Sequence, residues 1–128
     1  MEWQLRLGND FEKELRTFLD KNYKDNKNGR ELFNTEFNNF VQNLIQNPRC
    51  CGSSLEPWPS KTYNPDFEFR KYRFNSPDLS GSAKKGRLDY LLDLKEKRII
   101  LLNIYTHKQE KTRPDNKKLK NLIKKETE

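Results

Sequence analysis

The chain has 128 residues, of which 35% are charged and 32% hydrophobic, and its formal net charge at pH 7 is +7. This length suits one domain with a modest core, and no run approaches the roughly 18 apolar residues of a membrane-spanning helix. The composition therefore excludes a helical membrane protein. It favours a basic domain that binds a polyanion: nucleic acid, an acidic protein segment or an anionic membrane surface.

The cysteine and histidine content gives no sign of a metal site or a disulfide framework. Cys50 and Cys51 are adjacent and His107 is the single histidine, so no metal-ligand spacing is present. Adjacent thiols fit a reduced interior, and residues 1–7 lack the basic and apolar regions of a secretory signal. We therefore expect a cytoplasmic protein that uses no metal and no cofactor.

The first half of the chain predicts one strand followed by two helices. Residues 3–7 alternate apolar with polar and predict a half-buried strand. Asn9 and Glu12 are spaced as a capping box at the start of the first helix, and Asn47-Pro48 ends the second. Apolar residues at helical spacing define the buried faces of the two helices: Phe11, Leu15, Phe18, Leu19 and Tyr23, then Leu32, Phe33, Phe37, Phe40, Val41, Leu44 and Ile45.

Residues 48–65 form a long proline-rich connection. We expect Trp58 to fold back onto the body of the domain, with stacking on a nucleic-acid base as the alternative. For Cys51 we expect a partly buried position in the loop, with a redox thiol as the alternative.

The stretch Phe67–Phe74 contains four aromatic residues and predicts a strand. Because side chains alternate between the faces of a strand, one face carries Phe67, Phe69, Lys71 and Arg73. At about 3.3 Å per residue, Lys71 and Arg73 lie roughly 7 Å apart, which allows both to contact one phosphate group. The alternative is a strand end that leaves the core and keeps both cations in water.

Two further strands and a basic helix complete the pattern. After a Ser- and Gly-rich connection over residues 75–85, strands are predicted over residues 87–92 and 98–105. The second of them is apolar on both faces and is predicted to be central in the sheet. Arg113-Pro114 marks the start of a helix over residues 113–126, whose narrow apolar stripe consists of Leu119, Leu122 and Ile123.

The predicted fold class is α+β, with the element order β-α-α-β-β-β-α. Two N-terminal helices pack on one face of a mostly antiparallel four-stranded sheet, and residues 1–128 form a single domain. The other face of the sheet is expected to stay open, which suits a shallow groove rather than a deep pocket.

With these elements in this order, the chain resembles the RelE/ParE superfamily of bacterial type II toxins, a fold similar to that of the microbial ribonucleases. The resemblance covers nearly the whole chain. It rests most on Arg70-Lys71-Tyr72-Arg73-Phe74, Gly86-Arg87-Leu88-Asp89-Tyr90 and Leu101-Leu102-Asn103-Ile104-Tyr105-Thr106-His107-Lys108. RelE-like members are mRNA interferases that cut messenger RNA in the ribosomal A site, and a cognate antitoxin neutralises them. ParE-like members share the fold, inhibit DNA gyrase and lack the basic catalytic cluster.

The resemblance implies catalytic roles for three cations. Lys71 and Arg73 match the two basic residues of the family's second strand, and Arg87 matches the arginine after the family's glycine-containing hairpin. Gln109 occupies the place of a further RelE arginine. Because other branches of the superfamily use a histidine in the active region, His107 is the fourth catalytic candidate.

A second set of residues is expected to bind RNA beside the catalytic candidates: Tyr105, Lys108, Lys84 and Lys85. RelE uses a tyrosine in its C-terminal segment, and no tyrosine follows Tyr105 in this chain. For Tyr105, base stacking and core packing are equal alternatives. The lysines between residues 108 and 125 are expected to contact ribosomal RNA phosphates, with a simply solvated surface as the alternative.

Metal-free RNA cleavage accounts for these residue types. The 2′-hydroxyl attacks the neighbouring phosphorus, which requires a base for the hydroxyl, cations for the crowded phosphorus and an acid for the departing 5′-oxygen. Arginine stays protonated, so Lys71 is the cation that can release a proton and serve as base. His107 titrates near neutral pH and suits either role; the alternative is an exposed histidine at a strand end.

The leading hypothesis is therefore the toxin of a type II toxin–antitoxin system, a ribosome-dependent endoribonuclease in the cytoplasm. Its expected partners are a cognate antitoxin, mRNA and the ribosome, and no membrane. The alternatives are a ParE-like inhibitor of DNA gyrase and a non-catalytic family member that acts as a binding module.

Overall fold

A computed structural model describes residues 3–50 and 52–128 of the chain; Cys51 therefore lies outside the described residues. The order and the α+β class agree with the prediction, with one additional strand. The elements are β1 Gln4–Leu7, α1 Phe11–Tyr23, α2 Lys27–Gln46, β2 Ser53–Leu55, β3 Phe67–Asn75, β4 Lys85–Asp93, β5 Arg98–Thr106 and α3 Asn116–Thr127, with a short 3₁₀ turn at Gly81–Lys84. None of the helices described is long and apolar enough to cross a membrane.

Within the described residues the sheet has five strands, in the order β1-β5-β4-β3-β2. β2, β3, β4 and β5 are mutually antiparallel, and β1 runs parallel to β5. The prediction of four strands is wrong by one, because β2 lies inside the proline-rich connection. Its three residues pair with Arg70–Tyr72, and so short a segment carries no alternation that a sequence pattern could reveal.

Helices α1 and α2 cover one face of the sheet with an aromatic core. Phe18, Phe33 and Phe74 are buried there, and the rings of Phe40 and Phe74 stack with centroids 4.7 Å apart. Two details of the prediction are wrong. The N-cap of α1 is Asp10, without a side-chain cap, while the backbone N–H of Asn9 donates to Glu126. Leu32 is 47% exposed on α2.

The opposite face is partly covered, in contrast to the open face that was predicted. Leu119 and Ile123 of α3 pack on a second buried cluster of the sheet. Trp58 folds back as predicted, with its ring centroid 5.8 Å from that of Phe69. The helix begins at Asn116 rather than at residue 113, because the Asp115 side chain accepts a hydrogen bond from Lys118 N and caps it.

The contact between Phe74 and Gly86 locks the register of β3 and β4. The two residues are direct cross-strand partners, and a Cβ added at Gly86 would clash with the Phe74 ring. The glycine thus leaves room for an aromatic ring to lie over the strand, as aromatic residues often do beside strand glycines.

We expect Gly86→Ala to lower the free energy of unfolding by about 1–3 kcal/mol, the usual cost of overpacking a filled core. The measurement is urea denaturation followed by circular dichroism. In a Phe74→Leu background the same substitution should cost clearly less, because the smaller side chain frees the space. Equal costs in both backgrounds would contradict this account.

Candidate active site

The three predicted catalytic cations lie on the sheet face that carries α3. Arg73 on β3 is the direct cross-strand partner of Arg87 on β4, and Arg87 is in turn the partner of Tyr105 on β5. Lys71 is the partner of Asp89. Directly paired residues of antiparallel strands project to the same face. The register therefore brings Lys71, Arg73 and Arg87 together on one face, past the apolar residues that α3 covers.

Arg73 and Arg87 border an open depression of about 310 Å³, whose other lining residues are Phe74, Asn75 and Lys85. Arg73 is exposed and donates to Ser54 Oγ over 2.7 Å, and Arg87 is half-buried and donates to the carbonyl of Gly86 over 2.7 Å. Within the described chain neither guanidinium forms a salt bridge with a carboxylate. Burial, and next the charge of Arg73, lower the pKa of Arg87. Both therefore offer uncompensated positive charge to an anion, since arginine stays protonated.

Lys71 is in a different state. Its Nζ lies 3.1 Å from Oε1 of Glu56, and both side chains are only 10% exposed. Arg113 approaches the same carboxylate oxygen to 3.7 Å. The expectation that Lys71 is an exposed cation ready to release a proton is therefore not met: it is a buried ammonium paired with a carboxylate. The cause is β2, whose pairing with β3 carries Glu56 alongside, where Glu56 N donates to Phe69 O.

His107 lies next to the depression, immediately after β5. Its backbone N–H donates to the carbonyl of Lys85 over 3.0 Å. Burial lowers the pKa of its imidazole, and the charges of Arg87, Lys85, Lys71 and Arg73 lower it further. The histidine is thus neutral at pH 7 and within electrostatic reach of all four cations.

The remaining RNA-binding candidates divide into exposed and buried residues. Lys84, Lys85 and Lys108 are exposed, and Lys85 lines the depression. Tyr105 is only 2% exposed, so it cannot stack on a base, and of its two alternatives core packing is the observed one. Its pKa is raised by burial, then by Asp89 and Glu56.

Gln109, which the family resemblance was expected to place where RelE has an arginine, has a structural role. Its Oε1 accepts hydrogen bonds from the backbone N–H of Thr106 at 3.1 Å and from Nδ2 of Asn22 at 3.0 Å. The side chain therefore fastens the turn after β5 to α1. These contacts direct the Gln109 side chain to α1, so it adds no positive charge beside Arg73 and Arg87.

A buried polar group beside the cations was not predicted from the sequence. Asp89 is 1% exposed, and its Oδ2 has no hydrogen-bond partner among the described residues. Asn103, its cross-strand partner on β5, is buried beside it. Burial raises the pKa of Asp89 to about 7, although the charge of Lys71 opposes the shift. One signal was visible: an acidic residue within an apolar strand. Glu56 gave no such signal, because it follows a strand without a pattern.

No cluster of histidine, cysteine and acidic side chains among residues 3–50 and 52–128 could hold a metal ion. The arrangement instead presents fixed positive charge and a neutral imidazole at one surface. Such a surface can bind a phosphate group and accept a proton beside it.

Comparisons with known proteins agree with this architecture. No protein-family model matches the sequence, and no curated protein matches it. Among solved structures, the chain is similar to an arginine-to-alanine double mutant of E. coli toxin RelE in the free state, with a TM-score of 0.55, 14% identity and coverage of 100% of both chains. It is also similar to the archaeal RelE–RelB complex from Pyrococcus horikoshii OT3, with a TM-score of 0.49, 15% identity and coverage of 83% of this chain and 96% of the other. The E. coli likeness shows that the chain has a RelE-like fold, and the predicted α+β class is confirmed.

We expect Asp89→Asn to stabilise the protein at pH 8 by on the order of 2 kcal/mol, and to have little effect at pH 4. The folded pKa of about 7 lies above the unfolded value of about 3.9. Between these two pKa values the native state binds more protons than the unfolded state, so the free energy of unfolding falls as pH rises. Asparagine does not ionise, so Asp89→Asn removes this loss of stability. Urea denaturation at pH 4 and at pH 8 measures the change in the free energy of unfolding. The exposed Asp25→Asn is the control, and an equal effect of Asp89→Asn at both pH values would contradict the assignment.

Proposed function

We propose that the chain is the toxin of a type II toxin–antitoxin system and cuts messenger RNA on the ribosome as a metal-independent endoribonuclease. The observation that carries the proposal is the pairing of Arg73 and Arg87 across two strands beside a neutral His107, on a RelE-like fold. In this proposal residues 1–128 are one toxin domain that works in the cytoplasm.

The residues have the following roles in the proposal. Arg73 and Arg87 hold the non-bridging oxygens of the scissile phosphate and stabilise the charge of the pentavalent phosphorus. The neutral imidazole of His107 takes the proton of the 2′-hydroxyl as the 2′-oxygen attacks. The phosphorus–5′-oxygen bond then breaks, leaving a 2′,3′-cyclic phosphate and a 5′-hydroxyl.

Lys71 stays in the proposed catalytic set with a role opposite to the one expected from sequence. A lysine paired with Glu56 at 3.1 Å is a charged ammonium, which can donate a proton rather than accept one. It is therefore assigned to protonate the departing 5′-oxygen.

The proposed partners follow from the charge distribution. Lys108, Lys84 and Lys85 are exposed, and Lys85 lines the depression. In the proposal all three contact RNA phosphates, including those of the ribosome, with a strong salt dependence. The lysines of α3 are partly compensated, since Lys118 lies 2.6 Å from Glu14. A cognate antitoxin is expected to cover Arg73 and Arg87 with an acidic segment, because this surface keeps uncompensated positive charge.

The proposal predicts that Arg73→Ala/Arg87→Ala relieves the growth arrest that follows expression of the wild-type chain. The double substitution removes both positive charges. The fold should remain, because neither side chain forms a salt bridge within the described residues. Lys71→Ala is a poorer test, since it leaves Glu56 buried without its partner. The control is Arg16→Ala/Lys24→Ala, two exposed cations outside the depression.

Primer extension on messages after induction identifies the activity. Cut messages from the wild type and intact messages from Arg73→Ala/Arg87→Ala are expected. Growth arrest with intact messages and DNA damage would indicate a gyrase inhibitor instead. The absence of any growth arrest would indicate a binding module without catalysis.

The role of His107 predicts how the cleavage rate depends on pH. Because the pKa of His107 is lowered from 6.5, the imidazole becomes protonated and inactive as base only below that value. The single-turnover rate on programmed ribosomes should therefore fall as pH decreases below about 6.5. His107→Ala should slow cleavage by about 10²–10⁴-fold and remove this acid limb. An acid limb that survives in His107→Ala would assign the base to another group.

A further inference from the structure

A second depression of about 370 Å³ borders the cationic one. The two share Arg73, Phe74 and Asn75 of β3, so they adjoin each other along this strand. We call the second depression the α2 subsite, because its far wall consists of Glu36, Asn39 and Asn43 of α2.

The wall of the α2 subsite carries hydrogen-bonding groups that the fold does not use. Glu36, Asn39 and Asn43 are spaced by three and four residues, which places them on one side of a helix. All three are exposed, and within the described residues their side chains make no hydrogen bond or ion pair. The subsite therefore offers amide donors and acceptors and one carboxylate to a ligand.

The floor of the α2 subsite is aromatic. Phe40 and Phe74 stack with centroids 4.7 Å apart, and the half-buried ring of Tyr72 lies 5.6 Å from that of Phe40. Phe40 and Phe74 are only 7% and 9% exposed and pack against each other, so they close the bottom of the subsite as an apolar floor. A flat heterocycle would lie over this floor while its polar edge meets the amides.

The shape of the sheet explains why this site is accessible. β2 pairs with β3 as far as Tyr72, and the backbone N–H of Arg73 still donates to the carbonyl of Gly52 over 2.8 Å. Phe74 and Asn75, which follow, lie beyond this pairing at the edge of the sheet. Arg73 lines both depressions, together with Phe74 and Asn75. An RNA strand that places a phosphate on Arg73 and Arg87 thereby brings an adjacent base to the α2 subsite.

We propose that the α2 subsite binds a nucleobase of the RNA strand next to the phosphate held by Arg73 and Arg87, and that it prefers adenine to uracil. This inference rests on the proposed function. Asparagine amides match the N6 and N7 edge of adenine, and the carboxylate of Glu36 accepts a hydrogen bond from an exocyclic amino group. Uracil presents a carbonyl oxygen there, which a carboxylate repels. The same carboxylate disfavours a phosphate.

The test measures binding of fluorescently labelled tetranucleotides to the full chain by anisotropy. The probes are 2′-O-methyl UUAU and UUUU, in which the attacking hydroxyl is blocked. For the wild type we expect the adenine-containing probe to bind about fivefold to tenfold more tightly. In Asn39→Ala/Asn43→Ala this ratio should fall to near one, and Glu36→Gln should reduce it in part.

The matched control is Asn34→Ala/Asn38→Ala, which removes two exposed asparagines of the same helix that do not line the subsite. This variant should keep the wild-type ratio. Equal binding of both probes by the wild type, no binding of either, or an unchanged ratio in Asn39→Ala/Asn43→Ala would each overturn the inference.

Primer extension separates this inference from the proposed function. Cut messages together with equal binding of both probes would leave the ribonuclease standing and remove the base subsite. Base-selective binding together with intact messages would leave the subsite standing and remove the ribonuclease.

Discussion

The register of β3 and β4 is the constraint on which the candidate site depends. It pairs Arg73 with Arg87 on one face while Phe74 lies over Gly86 on the other. A slip of one residue would exchange the two faces of β3, moving the arginine into the aromatic core and a ring into water. The aromatic packing under α2 thus keeps two like charges side by side, an arrangement that their mutual repulsion opposes.

The buried polar residues connect the site to distant segments of the chain. Glu56 forms salt bridges with Lys71 of β3 and with Arg113, which lies in the segment before α3. Removing one member of such a group is more costly than the group's net contribution to stability, because the partner keeps a buried charge. The segment before α3, the proline-rich connection and β3 are therefore energetically coupled at Glu56, and the buried Asp89 on the neighbouring strand β4 adds a dependence on pH.

The cations of this face differ in availability, and that difference shapes the proposed chemistry. Arg73 and Arg87 carry charge that no carboxylate compensates among the described residues, whereas Lys71 is compensated. Gln109 is occupied by the turn that it fastens to α1. The site that remains is an arginine pair beside a neutral histidine, bordered by an aromatic and amide-lined depression. This arrangement suits a single RNA strand, which presents a phosphate and an unstacked base together.

The sequence by itself determined the helices, the long strands and the face that Lys71 and Arg73 share on β3. Each of these follows from a local period: 3.6 residues for the apolar stripes of α1 and α2, and two for the alternation along β3. Only the tertiary structure decided the state of those side chains. Glu56 reaches Lys71 because β2 pairs with β3 in the opposite direction, a contact between distant segments that leaves no periodic trace. The position of α3 on the face that was expected to be open is a second contact between distant segments. The narrow apolar stripe of this helix shows that the helix packs, but it does not show which surface the helix packs against.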